Sequence, residues 1–328
     1  MIGNLEVSEV GVGCMGFSHG YGKVPEEAYS IKAIQKAHDF GCTFFDTAEG
    51  YGDVVFHRGH NEQLLGKAIE GFRKDIVLAT KFRVNASEIG DGVTIQDAIR
   101  KHLDSSLKNL KTSYIDLYYL HRIDNEVPFE DVAEALGAFI KEGVIRGWGL
   151  SQVSGETLAK AHAVTPLTAV QNLYNMLERD CEKDIFPFCL ENNIGVVPFS
   201  PTASGFLSGN TPFEKVDDVR NWVLQLAKEN FVANQPVLDI LAEFSEKKNA
   251  TNAQISLAWM LHKYPNVVPI PGSKTQDRIL ENLGSSDVVL TKEEFAELEA
   301  ALDKCVVFGH RGHVESDQNN FGNNWKKK

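Results

Sequence analysis

The feature that most constrains this chain is a rhythm. A short apolar run, rich in β-branched and aromatic residues, ends at a Gly, Asp or Pro; an amphipathic stretch follows, and the pair recurs. Eight such runs stand at residues 10–13, 43–46, 76–81, 115–120, 145–150, 169–171, 195–198 and 267–270. They are apolar throughout rather than alternating, which is the pattern of parallel strands buried on both faces. The first seven begin about 24 to 39 residues apart, enough for one crossover helix each. Helical stretches lie between and after them, at 26–40, 61–69, 94–110, 129–141, 156–162, 181–192, 236–247, 252–262, 277–282 and 292–302. In the clearest, Ile95, Ile99, Leu103 and Leu107 share a side with Ala98 and Leu110, and Thr94 with Asp97 forms a capping-box start. The fold class this predicts is α/β: a single (β/α)8 barrel over residues 1–328. The seventh interval is longer. Its loop, 202–235, carries Gly205, Gly209 and Pro212 and is expected as a lid. An irregular tail is expected over about 304–328.

Composition narrows the function. Lys plus Arg total 33 against 45 Asp plus Glu, a net charge of −12, so a nucleic-acid partner is not expected. The basic run Lys326-Lys327-Lys328 reads as a solvated tail. No apolar run approaches the roughly 18 residues of a membrane span, and the first residues have no secretory pattern. Five cysteines without a C-x-x-C read as reduced thiols of a cytoplasmic protein. His57 and His60 form an H-x-x-H with no helix expected around it, read as a solvated loop rather than a metal site.

Residues 11–16, Gly-Val-Gly-Cys-Met-Gly, match the G-x-G-x-x-G dinucleotide fingerprint, but that motif requires a helix to start at the glycines. Phe17-Ser18-His19-Gly20-Tyr21-Gly22 follows and cannot open one, so a doubly wound dehydrogenase is not the expectation. The glycines are expected to pack tightly and leave backbone open to a ligand at the end of strand one, with Gly13, Cys14 and Met15 among its contacts.

Barrel enzymes carry their chemistry at the carboxyl ends of the strands. Here strand two ends on Asp46, strand three on Lys81, and strand four runs into His121. Neighbouring strands lie about 4.8 Å apart, so the three can converge, and Asp46 and Lys81 are expected to pair rather than stay buried alone. The loop Asp46-Thr47-Ala48-Glu49-Gly50-Tyr51-Gly52 can turn Tyr51 back over the mouth. A phenol ionises near pH 10, and an adjacent ammonium eases the loss of its proton.

The 46–52 segment, Ala79-Thr80-Lys81 and the run from Tyr114 to His121 together resemble the signatures of the aldo-keto reductase superfamily. The resemblance continues through 141–151, Gln171-Asn172, 198–205 and 268–282, so it covers nearly the whole chain. It implies a catalytic tetrad of Asp46, Tyr51, Lys81 and His121, with Tyr51 as general acid and His121 orienting the substrate carbonyl. The implied reaction is NADPH-dependent reduction of an aldehyde or ketone.

The cofactor expectation has two sources. A glycine turn, Gly272-Ser273-Lys274, precedes a helix after strand eight, and such turns bind phosphate. The resemblance assigns the adenosine 2′-phosphate to Ser273, Lys274 and Arg278, and the adenine side to Glu281 and Asn282. It assigns the nicotinamide carboxamide to Ser151 and Gln171, and stacking on nicotinamide to Phe199. It places the pyrophosphate against Ser200, Pro201, Thr202, Ala203, Ser204 and Gly205. Asp46 is counted among the cofactor contacts as well. Gln152 stands where the family commonly has Asn, and 202–204 replaces a Leu-Gly-Arg-like run. The segment before strand one is short, so the hairpin that floors such barrels is expected to be reduced.

A second reading is a cofactor-binding regulatory subunit resembling channel-associated members of the family, which keep the tetrad; a stable partner complex with negligible turnover would mark it. For the substrate pocket the candidates are Phe17, His19, Tyr21, Phe82, Arg122, Trp222 and Phe308, each weighed against simple packing. A monomer and a homo-oligomer both fit the sequence.

Overall fold

Seven short strands form one parallel sheet in sequence order: β1 (Val12–Gly13), β2 (Phe44–Asp46), β3 (Val77–Phe82), β4 (Ile115–Leu120), β5 (Ile145–Ser151), β6 (Ala169–Gln171) and β7 (Gly195–Val196). The structure is a computed structural model and describes residues 1–209 and 219–311. Because the strand order never reverses, the doubly wound alternative is removed. The G-x-G-x-x-G stretch opens only a single 3-10 turn, Met15–Phe17. Gly13 is required for packing: a Cβ there would sit 2.8 Å from the Ile270 carbonyl oxygen.

The expected eighth strand is the main departure. Residues 267–272 form no regular strand, only isolated parallel bridges, Val196↔Val267 and Gly13↔Gly272. The cause is Pro269 and Pro271, which have no N–H to give a ladder. The groups that remain still bond on both sides. The N–H groups of Val268 and Ile270 donate to the Val196 and Pro198 carbonyls at 2.9 and 3.2 Å. The carbonyls of Pro269 and Pro271 accept from Gly11 and Gly13 at 2.9 and 3.4 Å.

Strand side chains alternate, so each strand feeds two apolar layers. The inner one gathers Phe44, Val77, Ala79, Leu117, Tyr119, Ala169, Val197, Val268 and Ile270, and Ile2 closes it from below. The floor is small: a lone Ile2↔Leu5 bridge, with Ile2 against Gly195, where a Cβ would approach Ile2 to 2.7 Å. The outer layer, with Phe45, Leu78, Tyr118 and Leu150, packs under the helices.

These are α1 (Glu27–Asp39), α2 (His60–Ala68), α3 (Ile95–Asn109), α4 (Phe129–Glu142), α5 (Gly155–Val164), α6 (Ile185–Glu191), α7 (Lys228–Ala233), α8 (Gln235–Lys248), α9 (Asn252–Lys263), α10 (Gln276–Leu283) and α11 (Lys292–Leu302). The capping box at Thr94 and Asp97 is formed. The single helix expected over 181–192 is broken into a 3-10 turn, Asp180–Glu182, and α6. Pro187 explains this, since proline fits only the first turn of a helix; the helix therefore starts at Ile185, capped by Asp184. His60 opens α2, which the sequence pattern did not anticipate. No three-ligand metal cluster forms among the described residues.

After β7 the chain is strained: Ser200, Ala203 and Ser204 all have φ between 50 and 56°, before Gly205 at 96°. Non-glycine residues adopt this region at a cost of about 1 kcal/mol or more each, and such clusters mark functional loops. Pro212 lies outside the described residues, and so does the tail beyond Arg311, with Gly312 and the terminal lysines. No helix among the described residues is long and apolar enough to cross a membrane. All five cysteines are free thiols, four of them buried.

Candidate active site

Asp46 closes β2, Lys81 lies one residue before the end of β3, and His121 follows β4 directly. Lys81 is fully buried and its ammonium donates three hydrogen bonds: to Asp46 Oδ1 at 2.5 Å, the Thr47 carbonyl at 2.8 Å and the Tyr51 hydroxyl at 3.2 Å. Burial disfavours the ammonium, but Asp46 and Tyr51 outweigh that and hold Lys81 above its usual value. Burial likewise pushes the Asp46 carboxyl up, opposed by Lys81 and by Gln171, whose Nε2 donates to Oδ2 at 2.9 Å. Asp46 is thus fixed from two strands, and Lys81 is aimed at one phenol.

The loop that carries Tyr51 is tied on several sides. Gly52 has φ of 108°, and a Cβ there would meet His60 at 2.9 Å, so only glycine fits. Its N–H donates to His19 Nδ1 at 2.9 Å. The His19 and His121 rings meet the Tyr51 ring edge-on, at centroid distances of 5.5 and 5.7 Å. Below the loop, Glu49 is buried; it takes the Arg83 N–H and bonds Arg58 and His102, while the far nitrogen of His102 faces Glu88.

His121 is held well below the usual histidine value by burial, reinforced by the positive charges of Arg122, Lys81 and Arg83. A neutral imidazole beside a phenol backed by an ammonium can hydrogen-bond a carbonyl oxygen while the phenol gives it a proton.

From this cluster a cleft of about 940 Å³ runs to α10. The structure brings most of the sequence-predicted residues to its wall: Gly13, Met15, Asp46, Tyr51, His121, Ser151, Gln171, Phe199, Ser200, Pro201, Thr202, Ser204, Gly205, Gly272, Ser273, Lys274, Arg278, Glu281 and Asn282. Cys14 and Ala203 are buried beside it instead. Gln152 lies just past the end of β5 with a left-handed φ of 61°; it is buried and its Oε1 accepts from the Leu173 N–H rather than lining the cleft. Lys81 stands behind the wall, hydrogen-bonded to Tyr51.

Of the substrate-pocket candidates, His19, Tyr21 and Arg122 line the cleft, whereas Phe17 and Phe82 are packed in the core. Phe308 is exposed, its backbone paired with Asn234. The backbone of Trp222 ends a 3-10 turn, and its side chain lies outside the description. Arg83, Asn85, Arg220 and Arg311 also line the cleft and were not anticipated. The first two follow β3, where the strand-end rule could have found them; Arg311 lies in an aperiodic tail that offers no signal.

Three loops meet over the cleft. The Tyr21 hydroxyl lies 3.4 Å from Ser204 Oγ, and the Lys274 ammonium bonds the carbonyls of Tyr21 and Lys23.

A family model described as "Aldo/keto reductase family" matches residues 9–303. The chain belongs to the aldo/keto reductase family. A probable aldo-keto reductase from Glycine max is 36% identical over 313 residues, covering 94% of this chain and 89% of the relative. Among solved structures, a glycerol dehydrogenase from Gluconobacter oxydans superposes with a TM-score of 0.80 at 25% identity, over 92% of this chain and 94% of that one. An aldo/keto reductase from Klebsiella pneumoniae, solved with NADP and acetate, gives 0.69 at 26% identity, over 89% and 90%. This aldo/keto reductase is therefore of an oxidoreductase class.

Proposed function

We propose that the protein reduces an aldehyde or ketone to the alcohol with NADPH, reversibly, and that Tyr51 is the general acid. The observation that carries this is the hydrogen bond from the buried Lys81 ammonium to the Tyr51 hydroxyl at the wall of the cleft. As Tyr51 releases its proton to the carbonyl oxygen, the ammonium stabilises the charge left on the phenol oxygen, and Asp46 keeps Lys81 charged. His121 donates a hydrogen bond that orients the carbonyl and steadies the oxygen as charge builds. In the oxidising direction Tyr51 takes the proton back.

The residues present fit the dinucleotide, whose nicotinamide supplies hydride when bound. Gly13 and Gly272 face each other without side chains between them and the cleft. The strained Ser200–Gly205 turn fits a pyrophosphate. Arg278 lies exposed beside Ser273 and Lys274 at the start of α10, which suits a 2′-phosphate and favours NADPH over NADH. The Klebsiella pneumoniae relative's complex with NADP supports this reading. Residues 267–272, hydrogen-bonded to both β7 and β1, act as the eighth stave of a (β/α)8 barrel. Free thiols throughout suit a reducing, cytoplasmic setting.

Tyr51→Phe tests the assignment. Turnover should fall by about 10²–10⁴-fold while the NADPH dissociation constant stays unchanged. Wild-type turnover in that variant would remove Tyr51 from the mechanism.

A further inference from the structure

We propose that His19 is a specificity-determining residue: its Nε2–H donates a hydrogen bond to a second oxygen of the substrate, such as a hydroxyl, close to the reacting carbonyl. This rests on the reductase reading above and deepens it.

His19 follows the 3-10 turn Met15–Phe17 after β1, in a segment that is tied down on both sides. Its N–H donates to the Met15 carbonyl at 3.1 Å. The hydroxyl of Ser18 before it takes the Asn61 amide at 2.7 Å and meets His60 Nδ1 at 2.9 Å. Gly20 after it has φ of 105°, and the Gly20 carbonyl accepts from the Val219 N–H at 3.0 Å. The fold thus sets a half-buried imidazole against the edge of the Tyr51 ring.

One contact fixes the tautomer. The Gly52 N–H, which can only donate, is directed at His19 Nδ1 at 2.9 Å. Nδ1 must offer its lone pair, so in the neutral ring the hydrogen stands on Nε2. Burial holds His19 below the usual histidine value against the pull of Asp53, which makes the neutral ring the form present at pH 7. Nε2 is therefore a donor, and among the described residues nothing accepts from it. It is not sealed in the core, because His19 lines the cleft and its Nε2 keeps contact with solvent.

Two imidazoles accordingly flank one phenol, His121 at 5.7 Å and His19 at 5.5 Å between ring centres. On the reading above, Tyr51 and His121 both address the reacting oxygen. The His19 donor is left for another acceptor on the same molecule. An apolar group in that place would strip water from the donor and give nothing back, and a site built this way rejects it. The cofactor is served from other directions. Ser151, Gln171 and Phe199 take the nicotinamide, and Tyr21 rather than His19 reaches the Ser200–Gly205 turn, at Ser204.

The test uses two substrate pairs that exchange a hydroxyl for a methyl: glycolaldehyde with propanal, and 3-hydroxybutanal with 3-methylbutanal. kcat/KM is measured with saturating NADPH in the wild type and in two variants that separate the ring nitrogens. His19→Asn keeps an acceptor near Nδ1 for Gly52 and removes the donor at Nε2, whereas His19→Gln keeps a donor near Nε2 and removes the acceptor. His19→Asn should lower the hydroxyl-to-methyl ratio about tenfold in at least one pair. Which pair shows it tells how far the second oxygen lies from the carbonyl. His19→Gln should hold the ratio near its wild-type value, and urea midpoints report that both variants are folded. A ratio that His19→Asn leaves unchanged in both pairs overturns the proposal and leaves the reductase reading standing. A ratio lowered as much by His19→Gln also overturns it, making His19 a support of the Tyr51 loop. So does an unchanged ratio with weakened NADPH binding, which gives the donor to the cofactor. No turnover of any of the four while NADPH binds removes both readings.

Discussion

Two buried carboxylates sit on this sheet, one near each end of the strands, and they are used in opposite ways. Asp116, second in β4, has both oxygens occupied: Oδ1 by Arg146 at 2.7 Å, and Oδ2 by Arg73 at 2.8 Å and the Leu78 N–H at 3.0 Å. Both guanidiniums lie over the Tyr114 ring, at 4.1 and 4.2 Å. No member of that cluster borders the cleft. Asp46, last in β2, is just as buried, but its partner Lys81 keeps one donor for Tyr51, and Tyr51 faces open space. A buried charge is therefore not the mark of a site; a buried pair with one donor turned toward a cavity is.

That contrast can be broken by mutation. The largest effect is expected from Lys81→Met. It should cut kcat by about 10²–10⁴-fold and destabilise the fold by about 3–5 kcal/mol, because Asp46 is left buried without its cation. Stopped-flow turnover and urea unfolding measure the two separately, and unimpaired kcat would end the comparison. Asp116→Asn should do only half of this. Stability should fall by about 2–3 kcal/mol as charge-assisted bonds are lost, with kcat/KM unchanged; a loss of kcat/KM in the folded variant would mean the two clusters are coupled.

A smaller effect is expected from Arg278→Gln, at the far end of the cleft. Binding of NADPH should weaken about tenfold and binding of NADH should not change, as read by titration of each reduced cofactor. Equal weakening would remove the 2′-phosphate assignment.

The smallest concerns the support of the Tyr51 loop. Burial works against the His102 imidazolium, but Glu49 at 2.9 Å and Glu88 at 3.0 Å outweigh it, so His102 is held above its usual value. A raised histidine adds stability that is complete below its unfolded value of about 6.5 and disappears as pH rises through the folded value. Glu49 is the mirror case. Burial raises it, but His102, Arg83 and Arg58 together depress it. Its contribution holds above about pH 4.3 and is lost as pH falls through its lower folded value. The urea midpoint of the wild type should decline on the alkaline side, and His102→Asn should flatten that limb. A decline of the same size in both proteins would assign it to other groups.

How much could be read in advance differs by residue. Asp46, Lys81 and His121 were legible because each ends an apolar run, and strand ends in this class of fold face one mouth. Thr94 was legible because a cap is a local contact. Gln152 was not: β5 stops at Ser151, and Gln152 then takes a left-handed φ of 61° and bonds the Leu173 N–H, 21 residues on, which no local pattern announces. For the eighth strand the apolar run at 267–270 is a signal of position only, because Pro269 and Pro271 forbid a full ladder. Glu49 lies in the motif itself, but its partner His102 comes from α3, 53 residues later. Arg311 and Glu178 are 133 residues apart and share no pattern.

The sequence by itself determined the element order, the inward-facing strand ends and the chemistry they carry, because these follow from local periodicity and from which residue interrupts it. The tertiary structure alone decided which charges are closed off and which stay open, and which arginines gather at the catalytic end. Those outcomes depend on distances between segments far apart in the chain, and no local pattern encodes such distances.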